Sequence, residues 1–205
     1  MEIVPDPNIR SMELEDTQDV ASVHLRAFSG FFLSFLGARF LQELYSSIVN
    51  DPTGIAFVWC EKWEIEGFIA GTEQFGGLYR RLVRHRLWRF ALAATKPAIR
   101  DPSILPRLFR ALKVPKEREP EAGVGTLMSI GVVPDSQGRG IAHSLVKAFL
   151  SESAKRGLIA VNLTTDKVNN ESVNRFYLEL GFRVARTFNT PEGRQMNEFM
   201  IYLVH

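Results

Sequence analysis

The sequence predicts a mixed α/β (α+β) domain. Three observations carry that prediction. Alternating residues at 9–14 read as a strand near the start. A strand, a glycine-rich turn and a helix start run together between Ile130 and Leu150. Two strand-like runs, 182–187 and 198–204, follow the last helical segment. The chain has 205 residues, 45% of them apolar, so one domain with a sizeable core is expected rather than two.

Each element has its own signal. Residues 9–14, Ile-Arg-Ser-Met-Glu-Leu, alternate. Asp16 is placed to cap a helix through Ala27, with Val20, Val23 and His24 or Ala27 on one face. His24 on that face reads as a packed core histidine. Residues 30–37 are too apolar for a simple loop. A second helix, 38–49, carries Phe40, Leu41, Leu44 and Ile48 at helical spacing. It stops before the turn Asn50-Asp-Pro-Thr-Gly54. Residues 55–60 and 66–73 form a hairpin joined near Trp63. Strand signals resume at 125–133. A helix over 141–156, a strand over 158–165, a helix over 171–179 and the final strand pair complete the order.

Between 76 and 119 lies a basic helical insertion. Tyr79, Val83, Leu87, Phe90, Ala91 and Ala94 fall on one stripe, with arginines over much of the remainder. Five prolines from Pro97 to Pro120 keep any later helices short. Residues 76–118 hold twelve Lys/Arg against Asp101 and Glu117, a local balance of +10. The whole chain is +2, so the remainder is −8.

The most informative stretch is Ile130–Ala142, where a strand passes through Gly138 and Gly140 into a helix. The first amides of a helix have no internal partner, and the helix dipole adds positive potential there. Without a Cβ, a glycine lets the backbone curl and a phosphate approach closely. A phosphate-bearing ligand is therefore expected. No Gly-x-x-x-x-Gly-Lys run exists, so a Walker loop is excluded. A dinucleotide fingerprint fails at His143, where a tiny residue is needed.

The spacing Gln137-x-x-Gly140-x-Ala142 instead resembles the pyrophosphate loop of the GNAT superfamily of N-acetyltransferases, Gln/Arg-x-x-Gly-x-Gly/Ala. Downstream, Asn170-Glu-Ser-Val-Asn-Arg-Phe-Tyr-Leu-Glu-Leu-Gly-Phe182 is similar to that family's Asn-x-x-Ala-x-x-Phe/Leu-Tyr-x-x-x-Gly-Phe signature, with Val173 where Ala is commoner. The two elements come in the family's order, with a strand between them. The likeness covers residues 120–188 well, extends loosely to 9–75 and omits 76–119. It implies a mixed, mostly antiparallel sheet with two splayed central parallel strands, flanked by helices.

The resemblance also implies a chemistry. Acetyl-coenzyme A would be the co-substrate, a primary amine the acceptor, and no metal is expected. Gln137, Gly138, Gly140, Ile141 and Ala142 would hold the pyrophosphate. Arg139 adds charge if it points inward, and an outward Arg139 is the equal alternative. Ile130, Gly131 and Val132 would lie along the pantetheine arm, which pairs with the strand edge. One N–H there could meet charge developing on the carbonyl oxygen. Gly131 marks a bulge, a close ligand approach, or packing under a helix. Tyr177 is the expected general acid for the leaving thiolate. It also reads as part of an aromatic cluster with Phe176 and Phe182. Asn170 would cap the last helix and, by resemblance, bond the pantetheine arm.

The general base is less legible. The family's strand glutamate falls on Thr126, which is no base. Glu73 is the candidate, against its reading as a solvated strand-end charge; Glu121 is weaker, and a water chain is the remaining route. The lone Cys60 offers no disulfide and reads as a buried strand thiol rather than a nucleophile. A cytoplasmic enzyme is expected, with no signal peptide or run of about 18 apolar residues present, and direct transfer is expected because Cys60 offers no support for a covalent acetyl-enzyme. Three readings of the insertion stay open. It grips an anionic acceptor such as a nucleotide-linked amino sugar, it meets a membrane surface, or it folds over the domain with its arginines solvated or paired to the acidic remainder. Nucleic acid is not expected, for lack of a motif. A homodimer is compatible with the sequence. The non-enzyme alternative is a coenzyme-A-binding module that uses the insertion for partner contact.

Overall fold

The computed structural model describes residues 6–30, 32–78, 80–82, 84, 90, 92, 93, 95 and 122–203; for Phe32 it describes the backbone alone. Seven strands form one sheet. They are β1 (Ile9–Ser11), β2 (Gly54–Glu61), β3 (Glu64–Thr72), β4 (Val124–Val132), β5 (Ala160–Asp166), β6 (Arg183–Asn189) and β7 (Gln195–Tyr202). Their spatial order is β1-β2-β3-β4-β5-β7-β6. Every pairing is antiparallel except β4 with β5, which is parallel. The helices are α1 (Thr17–Ala27), α2 (Phe32–Phe35), α3 (Gly37–Val49), α4 (Ile141–Lys155) and α5 (Glu171–Glu179). The expected mixed, mostly antiparallel fold is the observed one.

The sheet buries both faces. On one, α4 lays Ile141, Leu145, Val146 and Phe149 against Ile69, Leu127 and Val161. On the other, α1 and α3 lay Val20, Val23, Leu41, Tyr45 and Ile48 against Val58, Phe68 and Ala70. These residues recur at three- and four-residue spacing in the helices, the pattern of one apolar stripe per helix.

The β4–β5 pairing positions the site. It consists of Val124↔Ala160, Gly125↔Val161 and Thr126↔Asn162. Beyond that rung, β4 runs on to Val132 and β5 to Asp166 unpaired with each other. β4 stays with β3 as far as Val132↔Gly67, and β5 stays with β7 as far as Asp166↔Met196. The sheet therefore opens between two parallel strands, as the resemblance implied.

Several local expectations are revised. The carboxylate of Asp16 makes no cap bond to α1. It accepts from Arg10 at 2.6 and 2.7 Å and from the Glu13 N–H at 2.8 Å. The 30–37 run contains the short helix α2. The β2–β3 turn places both Lys62 and Trp63 at positive φ, 51° and 71°.

Most of the insertion, including Tyr79, Leu87 and Trp88, lies outside the described residues, as does Glu121. The part that is described packs. Phe90 joins Leu36 and Phe40 in a small cluster, its ring 4.9 Å from that of Phe40. Arg81 Nε and Nη2 donate to the Asp51 carboxylate at 2.5 and 2.7 Å, and Nη2 also meets Thr53 Oγ1 at 3.0 Å. Phe90 and Arg81 are thus engaged with the domain, in line with the reading in which the insertion folds over it.

Candidate active site

A cleft of about 880 Å³ occupies the gap between β4 and β5. Leu127–Val132 form one wall and Leu163–Asp166 the other. Gln137, Gly138 and Gly140–His143 close one end, with Asn170, Phe176 and Tyr177 from the α5 region. His24, Phe28 and Leu33 contribute from the α1–α2 side, and Arg194 and Met196 from the β6–β7 side.

At the α4 end a turn leads into the helix with its first amides free among the described residues. A 3-10 turn, Pro134–Ser136, leads into extended Gln137. Gly138 and Gly140 then take φ of 78° and 81°, a region open to glycine but strained for other residues. A Cβ at either would meet no atom within 4 Å, so the space over them is free. Gly140 precedes the first turn of α4, which contains no acidic residue. Ser144 N–H returns to Gly140 C=O. Among the described residues, no group accepts from the N–H groups of Gly138 through His143. Six consecutive donors at a helix start, on the lip of a cleft, suit a diphosphate.

The structure brings ten of the twelve expected site residues to this cleft. Ile130, Gly131, Val132, Gln137, Gly138, Gly140, Ile141, Ala142, Asn170 and Tyr177 all line it. Arg139 does not. Its guanidinium pairs with Glu61 and, at 2.8 Å, with Glu66 on the β2–β3 hairpin. That is the outward alternative, chosen by two carboxylates distant in sequence. Glu73 does not line it either; its Oε1 accepts from Arg156 at 2.8 Å. Thr126 also lies outside the lining, and its hydroxyl donates to Asn162 Oδ1 at 2.8 Å.

Gly131 has a packing explanation. A Cβ there would come within 2.8 Å of Phe68, 3.1 Å of Phe28 and 3.3 Å of Ala27. The strand bulge falls instead opposite the Ala70/Gly71 step, leaving Met128 unpaired. Asn170 occupies the N-cap position of α5 without a side-chain cap bond. Its Nδ2 donates to Thr165 Oγ1 at 2.5 Å and to Asp166 C=O at 3.2 Å. That ties the start of α5 to the end of β5 across the cleft mouth.

Tyr177 is buried, with ring centroids of Phe176, Phe182 and Phe199 at 5.1, 5.6 and 5.8 Å. It therefore is part of the aromatic cluster as well as of the cleft wall. Its hydroxyl has no hydrogen-bond partner among the described residues. Burial raises its pKa above the usual tyrosine range, so the phenol is protonated at every working pH.

Sequence reasoning missed three features of the cleft. Asp166 and Arg194 form a bidentate pair at its far lip, at 2.6–3.0 Å. Ser129 stands in the β4 wall, its Oγ taking a bond from Tyr45. His24 lines the α1 side, where burial lowers its pKa to about 4. A histidine on the apolar face of α1 was the available signal for the last.

A sheet split between two parallel strands, with an amide cradle at the helix that follows, defines an acyl-coenzyme-A-binding class of α/β enzyme. A profile described as the acetyltransferase (GNAT) family matches residues 19–182, and the chain belongs to that family. The family is one of acetyltransferases that use acetyl-coenzyme A. The mycothiol acetyltransferase of Paenarthrobacter aurescens (strain TC1) is 34% identical over 74 residues. That match spans 36% of this chain and only 23% of that protein. Among solved structures, SsHAT superposes with a TM-score of 0.66 at 21% identity, covering 98% of this chain and 100% of that one. An aminoglycoside 6'-N-acetyltransferase complexed with coenzyme A superposes with a TM-score of 0.60 at 14% identity, covering 96% and 97%. Among the described residues, no helix is long and apolar enough to cross a membrane.

Proposed function

We propose that this chain moves an acetyl group from acetyl-coenzyme A directly to the primary amine of a small acceptor. The observation that carries the reading is the opening of β4 from β5 after Thr126↔Asn162, with the free amides of Gly138–His143 at its end. The amides and the N-terminus of α4 bind the pyrophosphate. Ile130, Gly131 and Val132 present the strand edge that β5 leaves free, and an amide arm pairs there as an added strand would. An N–H of that edge stabilises charge on the thioester oxygen. Asn170 keeps the α5 side of the mouth in place.

Tyr177 serves the leaving sulfur. Because burial raises its pKa, full proton transfer to a thiolate is uphill. The hydroxyl therefore acts first as a hydrogen-bond donor to the departing sulfur, and transfer completes as the thiol leaves. Glu73, held by Arg156 outside the cleft, is retained as a base only through intervening water.

The acceptor is a small amine, with an anionic one, such as a nucleotide-linked amino sugar, supported by the +10 balance of residues 76–118. Arg81 is excluded from that grip by its pairing with Asp51. The test is thiol release from acetyl-coenzyme A with a panel of neutral and anionic primary amines. Turnover with an amine, saturable in acetyl-coenzyme A, is expected. Coenzyme A binding without turnover on any amine would favour a non-catalytic binding module.

A further inference from the structure

His24 lies in the cleft wall on the buried face of α1, only 3% exposed. Its Nδ1 is 2.6 Å from Tyr45 Oη, and Tyr45 Oη donates to Ser129 Oγ at 3.3 Å. A tyrosine hydroxyl carries one proton. We assign that proton to the bond with Ser129, which puts the hydrogen between Nδ1 and Oη on the ring. The neutral imidazole then holds its lone pair on Nε2. That atom is buried and has no partner among the described residues. A buried acceptor with no donor is uncommon and needs an explanation. Packing supplies none, because the rings nearest His24 are Phe28 at 4.7 Å, Tyr45 at 5.9 Å and Phe68 at 6.1 Å. None offers Nε2 an N–H.

We propose that Nε2 of His24 accepts the N–H of the acceptor amine in the cleft and takes its proton during acetyl transfer. The proposal rests on the acetyltransferase reading above. An amine beside His24 lies between α1 and Ser129–Gly131 of β4, the strand edge assigned to the acyl arm. As the amine lone pair closes on the thioester carbonyl, the N–C bond forms and positive charge builds on nitrogen. Its N–H becomes acidic. That bond breaks, its electron pair stays on nitrogen, and the proton binds Nε2. The C–S bond breaks with its pair on sulfur, which receives the Tyr177 hydrogen. Solvent later takes the proton from His24 and restores that of Tyr177.

Tyr45 is a positioning residue, since its bond to Nδ1 sets the tautomer. Burial, which lowers the ring pKa to about 4, leaves His24 unprotonated at neutral pH. The groups facing the ring are Phe28 just after α1, Tyr45 of α3, Phe68 of β3 and, through Tyr45, Ser129 of β4. Only Tyr45 titrates among them, and burial raises its pKa. Arg26, also on α1, is turned to Asp135 at 3.0 Å.

Nitrogen NMR of the full chain, 15N-labelled at histidine and saturated with coenzyme A, tests the assignment with methylamine as the probe. The proposal expects a protonated Nδ1, a proton-free Nε2, and an Nε2 resonance that moves as methylamine is added. A proton on Nε2, or no response to the amine, would overturn it. The kinetic arm uses His24→Asn, whose side-chain amide can keep the bond to Tyr45. With any amine the wild type acetylates, kcat should fall about 100-fold while the coenzyme A Kd stays within about twofold. An unchanged kcat would also overturn the proposal. Wild-type protein that bound no coenzyme A would instead remove the acetyltransferase reading itself.

Discussion

Thr126 and Asn162 form the last rung between the parallel strands, and their side chains are joined as well. Thr126 Oγ1 donates to Asn162 Oδ1 at 2.8 Å, and Asn162 Nδ2 reaches Glu198 at 3.4 Å. Glu198 in turn pairs with Arg186. A partly buried polar chain thus crosses the sheet where it begins to open. Thr126→Val removes the donor and leaves an Asn162 acceptor without it. A loss of about 1–2 kcal/mol is expected in urea unfolding, with the slope of the transition unchanged.

Tyr177→Phe separates the two roles of that residue. The ring stays in its aromatic cluster, and the hydroxyl has no bond to lose among the described residues. Stability should change by less than about 0.5 kcal/mol. Thiol release should fall by about 10- to 100-fold, with coenzyme A affinity in calorimetry unaltered. A large fall in melting temperature would mean that the hydroxyl serves the fold.

His24 makes stability depend on pH in a defined window. Its folded pKa, about 4, lies below the ordinary 6.5. Between those values the unfolded chain binds a proton that the folded chain does not. Stability from this group is therefore complete above pH 6.5 and is lost as pH falls toward 4. The loss is at most about 3 kcal/mol. Denaturation midpoints measured from pH 7 to pH 4 should fall in the wild type. They should fall less in His24→Asn, which has no group to protonate there.

Arg81 anchors the start of the basic insertion. Burial would raise the pKa of the Asp51 carboxyl, but hydrogen bonds from Arg81 and Thr53 override it and hold the value low. Arg81→Ala leaves that carboxylate buried with only Thr53, at a cost of about 1–3 kcal/mol. Limited proteolysis should then cut first within 76–119. Arg80→Ala, at an exposed position, should change neither stability nor cleavage.

The parts of the site that were legible in the sequence are those written locally. Gly138 and Gly140 announce a turn and a helix start within a few residues. Asn170 and Tyr177 share one helical segment, so their spacing sets their relation. The order of strands and helices could likewise be read from period and turn residues. What was not legible depends on distant neighbours. Arg139 turns outward because Glu61 and Glu66 sit on a hairpin more than 70 residues earlier. Glu73 is claimed by Arg156, 83 residues away. The His24–Tyr45–Ser129 cluster draws on α1, α3 and β4, and no spacing rule connects those positions. Asp166 and Arg194 meet only because β5 pairs with β7.

Backbone amide NMR during an acetyl-coenzyme A titration tests the amide cradle most directly. Saturable shifts should concentrate at Gly138–His143 and along Ser129–Val132. No saturable change, or changes confined to other parts of the sheet, would contradict the assignment of this cleft to the acyl donor.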